Sequence, residues 1–176
     1  MGTYIYAESQ RKKGNVWVDT YSTFGPFKSS ELSQLFGYGK SNYLADEVDF
    51  ILSKRNGAPE VLFSSEFEWD YDYGRNWFMG SELIALMDSG TVIPRRGYLS
   101  RKEFLAWDGK TELDSYSGNS WGKTVHMASA NKVDDYDSVL VTWESKLSSV
   151  LGTFGAFVRE EVAEHGDVRI VYGFDQ

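Results

Sequence analysis

The chain has no cysteine and only two histidines among its 176 residues. Without cysteine it can form no disulfide, thiol nucleophile, iron–sulfur cluster or Cys-ligated zinc site. Long apolar runs are missing too: none approaches the roughly 20 residues that a membrane span needs. No charged-then-apolar leader precedes a small-residue cleavage site. Gly2 follows Met1, but Tyr6 stands where myristoylation requires Ser or Thr. The cytoplasm is the expected compartment, and no membrane is an expected partner. Positive charge is also short, with 18 Lys and Arg against 26 Asp and Glu, a net charge of −8. That balance argues against direct nucleic-acid binding and against an anionic membrane surface, both of which rely on excess positive charge.

Aromatic residues are abundant: 6 Trp, 11 Tyr and 11 Phe. A chain of this length buries roughly 70% of its unfolded surface, enough for a core without a staple. Residues 1–176 read as one domain, with no internal repeat and no clean domain boundary.

The start reads as a hairpin. Thr3–Ala7 and Val16–Val18 are β-formers, joined by turn chemistry at Lys13-Gly14-Asn15. Gly25-Pro26 marks a loop. Ser29 and Ser30 can cap a short helix over Glu31–Phe36, which Gly37 ends. A second helix is expected over Tyr43–Lys54, with Leu44, Val48, Ile51 and Leu52 on one face before the breaker Asn56-Gly57-Ala58-Pro59. A strand follows through Val61-Leu62-Phe63 towards Tyr73, then a helix over Ser81–Met87 stopped by Ser89-Gly90. Ser100-Arg101-Lys102-Glu103 is a capping box opening a short helix, which Phe104, Leu105 and Trp107 would pack against the body. Asp108–Gly122 is polar and rich in glycine and serine, as in a long loop.

Leu140, Trp143, Leu147, Val150, Leu151, Phe154, Phe157, Val158 and Val162 follow the 3,4 spacing of a long amphipathic helix. Asp134, Asp135 and Asp137 would complement the dipole at its start. Gly152 and Gly155 leave its continuity open. Val168–Phe174 alternates as a strand. Strands at both termini around a set of helices predict an α+β fold. Its mixed or antiparallel sheet would pair the N- and C-terminal strands and pack against several helices, including a long C-terminal one.

Catalytic constellations are thin. His165 lies beside Gly166 at the expected end of the long helix, where its charge suits the C-terminus. His126 has no nucleophile at a recognised spacing, and no Gly-x-Ser-x-Gly elbow is present. Two phosphate-loop look-alikes fail on detail. Gly39-Lys40-Ser41 has Gln34 where the loop needs its first glycine, and Gly118–Thr124 is one residue short. Asp70-Tyr71-Asp72 fails as a calcium loop, because Arg75 takes the glycine position and Ser81 the bidentate one. No catalytic residue, metal site or cofactor is expected.

One segment stands out. Glu66-Phe67-Glu68-Trp69-Asp70-Tyr71-Asp72-Tyr73 alternates acid and ring. In an extended chain this puts four carboxylates on one face, about 6.6–6.8 Å apart, and four rings on the other. The spacing is close to that of successive phosphates in an extended nucleic-acid strand. Each ring could bury roughly 150–250 Å² to hold the strand down. The plainer reading is a solvated strand face. Yet four like charges in a row repel, and a basic partner surface relieves that repulsion. The candidate partner-binding residues are therefore Glu66, Glu68, Asp70 and Asp72, with Arg75 and Trp77 beside them. Small basic groups such as Arg11-Lys12-Lys13 and Arg95-Arg96 form no stripe.

The C-terminal run Asp167-Val168-Arg169-Ile170-Val171-Tyr172-Gly173-Phe174-Asp175-Gln176 resembles the end of a group of small bacteriophage proteins. These begin Met-Gly-Cys-Asp-Ile-His and close on a strand near Val-Arg-Ile-Val-Phe-Trp-Phe-Asp-Asn. Trp77-Phe78-Met79-Gly80-Ser81-Glu82-Leu83 is similar to their Trp-Leu-Thr-Leu-x-Glu-Leu. Arg96-Gly97-Tyr98 with Phe104–Trp107 is similar to their Arg-Gly-Trp and Tyr-x-x-Trp element. The family's early Cys, Asp and His are replaced here by Thr3, Tyr4 and Tyr6, and its histidine–serine segment by Asp72–Asn76, which has no His.

The resemblance implies a phage scaffold working in the host cytoplasm and transfers no activity. The expected function is an acidic binding protein that inhibits or modulates a host nucleic-acid enzyme or an anti-phage defence protein, through a surface able to imitate nucleic acid. The expected partner carries a basic groove. The alternative is a small-molecule binder or hydrolase with a pocket near the sheet termini, lined by Tyr4, Tyr6, Trp77 and Asp175.

Overall fold

The computed structural model describes residues 4–46, 73–127 and 134–175. The strands are β1 (Tyr4–Lys13), β2 (Val16–Lys28), β3 (Tyr73–Met79), β4 (Val92–Ser100), β5 (Thr124–His126), β6 (Ser138–Lys146) and β7 (Val168–Asp175). The helices are α1 (Ser30–Leu35), α2 (Gly80–Asp88), α3 (Arg101–Ala106) and α4 (Leu147–His165). The strands form two sheets, ordered β2-β1-β7-β3 and β4-β6-β5. β1 and β7 run antiparallel in unbroken register from Tyr4↔Asp175 to Arg11↔Val168, so the two termini do pair at the centre of the larger sheet. This is an α+β architecture.

The opening hairpin forms about the expected turn but is much longer, because β2 continues through Gly25-Pro26 to Lys28. Gly25-Pro26 is thus part of an edge strand, where proline's missing N–H costs no ladder bond. Register shifts at Ile5/Ala7 and Glu8/Gln10 absorb the irregularity. Ser29 caps α1 as expected, its Oγ accepting from the Leu32 amide at 3.1 Å. Tyr43 and Leu44 do not open a helix. Leu44 bridges Arg95, and the Ala45 amide donates to the Pro94 carbonyl at 3.0 Å, so this stretch lines the edge of β4. The remainder of that expected helix and the expected strand at Val61–Phe63 lie outside the described residues.

α2 is held at its start from two sides. The Met79 amide donates to Glu82 Oε2, while the Ser81 amide and hydroxyl donate to Asp167 at 3.0 and 2.7 Å. The capping box of α3 is present, with the Glu103 amide on Ser100 Oγ and the Ser100 amide on Glu103 Oε2. Those bonds from the Ser100 hydroxyl and amide hold the Glu103 carboxyl below its ordinary value. Phe104 and Trp107 pack inward, but Leu105 is 63% exposed because a helix of six residues has one buried stripe. The residues from Asp108 to Gly122 contain no helix or strand. Within them Asp108 is kept down at about 2 by the Thr111 hydroxyl and amide and the Lys110 amide.

The long periodic run divides between two elements. Leu140 and Trp143 belong to β6, and α4 takes over at Leu147. Val139, Val141 and Trp143 are buried, Leu140 is half-buried and Thr142 and Glu144 are exposed, which is the period of a strand. Asp134, Asp135 and Asp137 accordingly precede a strand rather than a helix. α4 breaks where its first glycine lies: Gly152 has φ 48° and ψ −122°. Gly155 stays helical, and a Cβ there would come within 2.9 Å of the flexible Met87 thioether. Gly152→Ala should therefore lose about 1–3 kcal/mol, because an L side chain is strained in that conformation even though space is open. Urea unfolding should show a lower midpoint at unchanged m, and a Gly152→Ala protein as stable as wild type would refute this.

The main core lies between the larger sheet and the helices. Ile5, Ala7, Phe78, Val168, Ile170, Tyr172 and Phe174 from the sheet meet Leu32, Leu35 and Phe36 of α1 and its cap, Leu83 of α2, and Leu147, Leu151, Phe154 and Val158 of α4. Burial pushes the Tyr172 phenol well above its ordinary value. A second, smaller core sits on β4 and β6, where Leu99, Val139, Val141 and Trp143 are covered by Phe104, Trp107, Leu113 and Tyr116.

Candidate functional site

The acidic strip Glu66, Glu68, Asp70 and Asp72 lies outside the described residues. Of its two neighbours, Arg75 falls on β3, with its side chain outside the description, and Trp77 pairs with Val171 of β7. The residues of the alternative pocket share one sheet face. Tyr4 stands opposite Asp175, Tyr6 opposite Gly173 and Trp77 opposite Val171, all on the side away from the helices. Side chains on a strand alternate faces, so Glu8, Gln10, Arg169 and Met79 join them.

This outer face is unusual in burying charge. Glu8, Gln10 and Arg169 are each at most 5% exposed. Gln10 Oε1 accepts from Arg169 Nε at 2.9 Å and from Nη2. The Arg169 guanidinium lies 4.6 Å from the Trp17 ring centre and 5.7 Å from that of Trp77, a cation between two rings. Burial draws its pKa down to about 10. Trp17, Gln10 and Arg169 were not among the expected site residues. The signal was present in the alternation of β1 and β7, but only the register shows which polar residues meet.

A second charged cluster sits on the smaller sheet. Arg95 of β4 bonds Glu31 of α1 and the Tyr116 hydroxyl, and Glu112 lies 3.8 Å away. Its guanidinium is 5.3 Å from the Tyr116 ring centre and 5.8 Å from that of Trp143. Tyr116 can close over this strand because position 97 is glycine; a Cβ there would meet its ring at 2.6 Å. Burial raises the Tyr116 phenol, against the opposing pull of the Arg95 charge. The cluster ties α1, β4 and the long loop together, and the charge of Arg95 is met by carboxylates of the protein itself.

No family model matches the chain, and no curated protein or solved structure matches it. Among the described residues no group of three or more His, Asp or Glu could hold a metal ion. His165 ends α4 with Nε2 3.8 Å from Glu161 and 3.7 Å from Glu164, as suits a helix terminus. His126 is exposed on β5. No helix among the described residues is long and apolar enough to cross a membrane.

An exposed surface of acid and ring does occur, at one end of the smaller sheet. Tyr136 is 88% exposed in the turn Asp134-Asp135-Tyr136-Asp137, and Trp121 is 37% exposed. Two contacts fix the neighbouring turn. Asp137 Oδ1 accepts from the Lys123 amide at 2.8 Å, and Trp121 N donates to Ser138 Oγ at 3.2 Å. Asp135 meets Arg101 at 3.2 Å.

Proposed function

We infer that this protein acts by binding rather than by catalysis: an acidic phage protein that engages a basic groove on a host nucleic-acid enzyme or an anti-phage defence protein and inhibits or modulates it. The observation that carries the reading is the turn at Asp134–Asp137, where an aromatic ring is held in solvent among three carboxylates. Exposed Tyr and Trp are the side chains that anchor interfaces, and surrounding acids steer a basic partner and reject acidic ones. Acids and rings also stand together in sequence at Glu66–Tyr73, there in strict alternation. The net charge of −8 acts in the same direction over longer range. The phage source and the host compartment are proposed on the resemblance of residues 167–176 and of the segment from Trp77.

A second reading is a small-molecule site on the outer face of the larger sheet. It is favoured by the register that sets Tyr4, Tyr6 and Asp175 on the same outer face as Trp77 and the buried Arg169.

The tagged protein should capture a defined nucleic-acid enzyme or defence subunit from host lysate at low salt and release it at high salt, since exposed charge pairs are screened. Two charge-reversed proteins, Asp134→Lys with Asp135→Lys and Glu68→Lys with Asp70→Lys, separate the two acidic segments. Loss of capture in either, with the fold intact by circular dichroism, supports the reading. Capture unaffected by both reversals and by salt would sink it and leave the outer-face site as the reading to pursue.

A further inference from the structure

The hydrogen-bond directions along β4 and β6 expose a feature separate from the acidic surface. In β4 the Arg96 amide donates to the Tyr43 carbonyl, the Pro94 carbonyl accepts from Ala45, and Tyr98 exchanges bonds with Ser117. The backbone groups of these even-numbered residues therefore face away from β6. β4 pairs β6 antiparallel with Pro94↔Glu144, Arg96↔Thr142 and Tyr98↔Leu140. Partners in such pairs both turn their N–H and C=O outward. On β6, then, Leu140, Thr142 and Glu144 present their backbone groups to the opposite edge.

β5 occupies that edge only from Ser138 to Leu140. Among the described residues no strand pairs with Thr142 or Glu144 on this side, and both residues are exposed. A buried or peptide-lined edge leaves such groups unpaired only at a cost, and an open one is a template for another strand. β2, one edge strand of the larger sheet, is blunted by two register shifts, Gly25-Pro26 and Lys28. β6 has no register shift and no proline, and keeps perfect register with β4 over all nine residues. Beside the open stretch lies a cleft of about 460 Å³, lined by Pro94, Gly109, Lys110, Thr142, Trp143 and Glu144. Trp143 is 4% exposed, and its indole Nε1 has no acceptor.

We propose that the outer edge of β6 at Thr142–Glu144 is a docking site for an extended segment of another protein, which adds as a further strand. Backbone bonds to Thr142 and Glu144 supply the pairing, and side chains alternate between the two faces. On the face of Trp143 the added strand places an apolar residue under Gly109 and Lys110. On the other face it places a basic residue beside Glu144. The segment spans about six residues, the usual length of a strand. This proposal stands on backbone geometry and holds whether or not the acidic turn engages a basic partner.

Amide exchange in the full chain tests it first. The Val141 and Trp143 amides, bonded to β4, should be protected, while those of Thr142 and Glu144 exchange as open amides. Protection of Thr142 and Glu144 in the free protein would overturn the proposal, and protection that grows with protein concentration would assign the edge to a second copy instead. A displayed library of random peptides is then selected on the full chain. The expected result is enrichment of alternating β-forming sequences carrying Lys or Arg. Their binding should slow exchange at Thr142 and Glu144 on the order of tenfold or more. Thr142→Pro removes a donor that β4 does not use and should abolish binding with Val141 and Trp143 still protected. Methylating alternate peptide nitrogens should do the same without altering the protein. No enrichment, or selected peptides that leave these two amides unchanged, would refute it.

Discussion

Phe154→Ala should destabilise the protein by about 3–5 kcal/mol, the range for removing a buried aromatic ring. Phe154 is fully buried and stands at the middle of a ring cluster. Its centroid lies 5.1 Å from Phe24 of β2, 5.3 Å from Phe36 beyond α1 and 6.3 Å from Phe78 of β3. One side chain on α4 thus joins two strands of the larger sheet to the short helix, and alanine would leave a cavity facing all three. The neighbours cannot readily collapse into it, because Phe36 and Phe78 are already stacked 5.7 Å apart and Tyr172 closes the far side. Domains have about 5–15 kcal/mol in total, so the loss is a large fraction of the whole. At this chain length it corresponds to a fall in Tm of roughly 6–20 °C. Calorimetry of Phe154→Ala beside Phe154→Leu, which keeps most of the volume and should lose less, checks the assignment. Equal and small losses in both would place the ring outside the core.

Arg95→Ala should have the next largest effect, about 3 kcal/mol. Breaking a buried ion pair by removing one partner costs about 3–5 kcal/mol, and the lower end applies because neither side chain is wholly buried. Arg95 is 14% exposed and Glu31 25%. The change strands the Glu31 carboxylate, removes the partner of the Tyr116 hydroxyl and opens the space between the Tyr116 and Trp143 rings. Arg95→Met retains the apolar stem and separates packing from charge. In both variants the Tyr116 phenol should titrate at still higher pH, since the Arg95 charge is the influence that lowers it. Ultraviolet difference spectroscopy on alkaline titration reads this directly. An unchanged Tyr116 titration would show that the guanidinium does not act on the phenol. Unchanged stability in Arg95→Ala would show that the cluster does not hold the loop to the sheet.

These effects depend on contacts that sequence patterns show only in part. The local signals were legible. Ser29 before α1, the Ser100–Glu103 box, Gly14-Asn15 in the hairpin and Ser89-Gly90 after α2 all work through bonds within four residues, and they appear where expected. The apolar period of α4 was legible as well, but its beginning was misplaced. Leu140 and Trp143 fit a helical stripe, and the same residues fit a strand, because a short apolar run satisfies both periods. What settled the matter was pairing with β4, a partner more than 40 residues away in the chain. Tyr43–Ala45 changed from helix to edge pairing for the same reason.

The candidate sites divide along this line. The acids of the strip were visible as a pattern, because alternation is a property of a single segment, whereas Asp134, Asp135 and Asp137 were read only as the start of a helix and not with Tyr136 as a surface. The groupings of Arg169 with Gln10, Trp17 and Trp77, and of Arg95 with Glu31, Tyr116 and Trp143, come from segments up to 159 residues apart. No spacing rule reaches that far.

By itself, the sequence determined the acidic, cysteine-free, aromatic-rich character of the protein, its α+β class and the pairing of its terminal strands. Composition sets the first of these, and β-forming runs at both ends of a chain with helical stretches between them point to the other two. Tertiary structure alone decided where α4 begins and bends, which polar residues meet on the outer face, and which backbone groups of β6 face away from β4. Strand register and direction are set when distant segments pack, and a one-residue change in either would turn each of these groups to the other side.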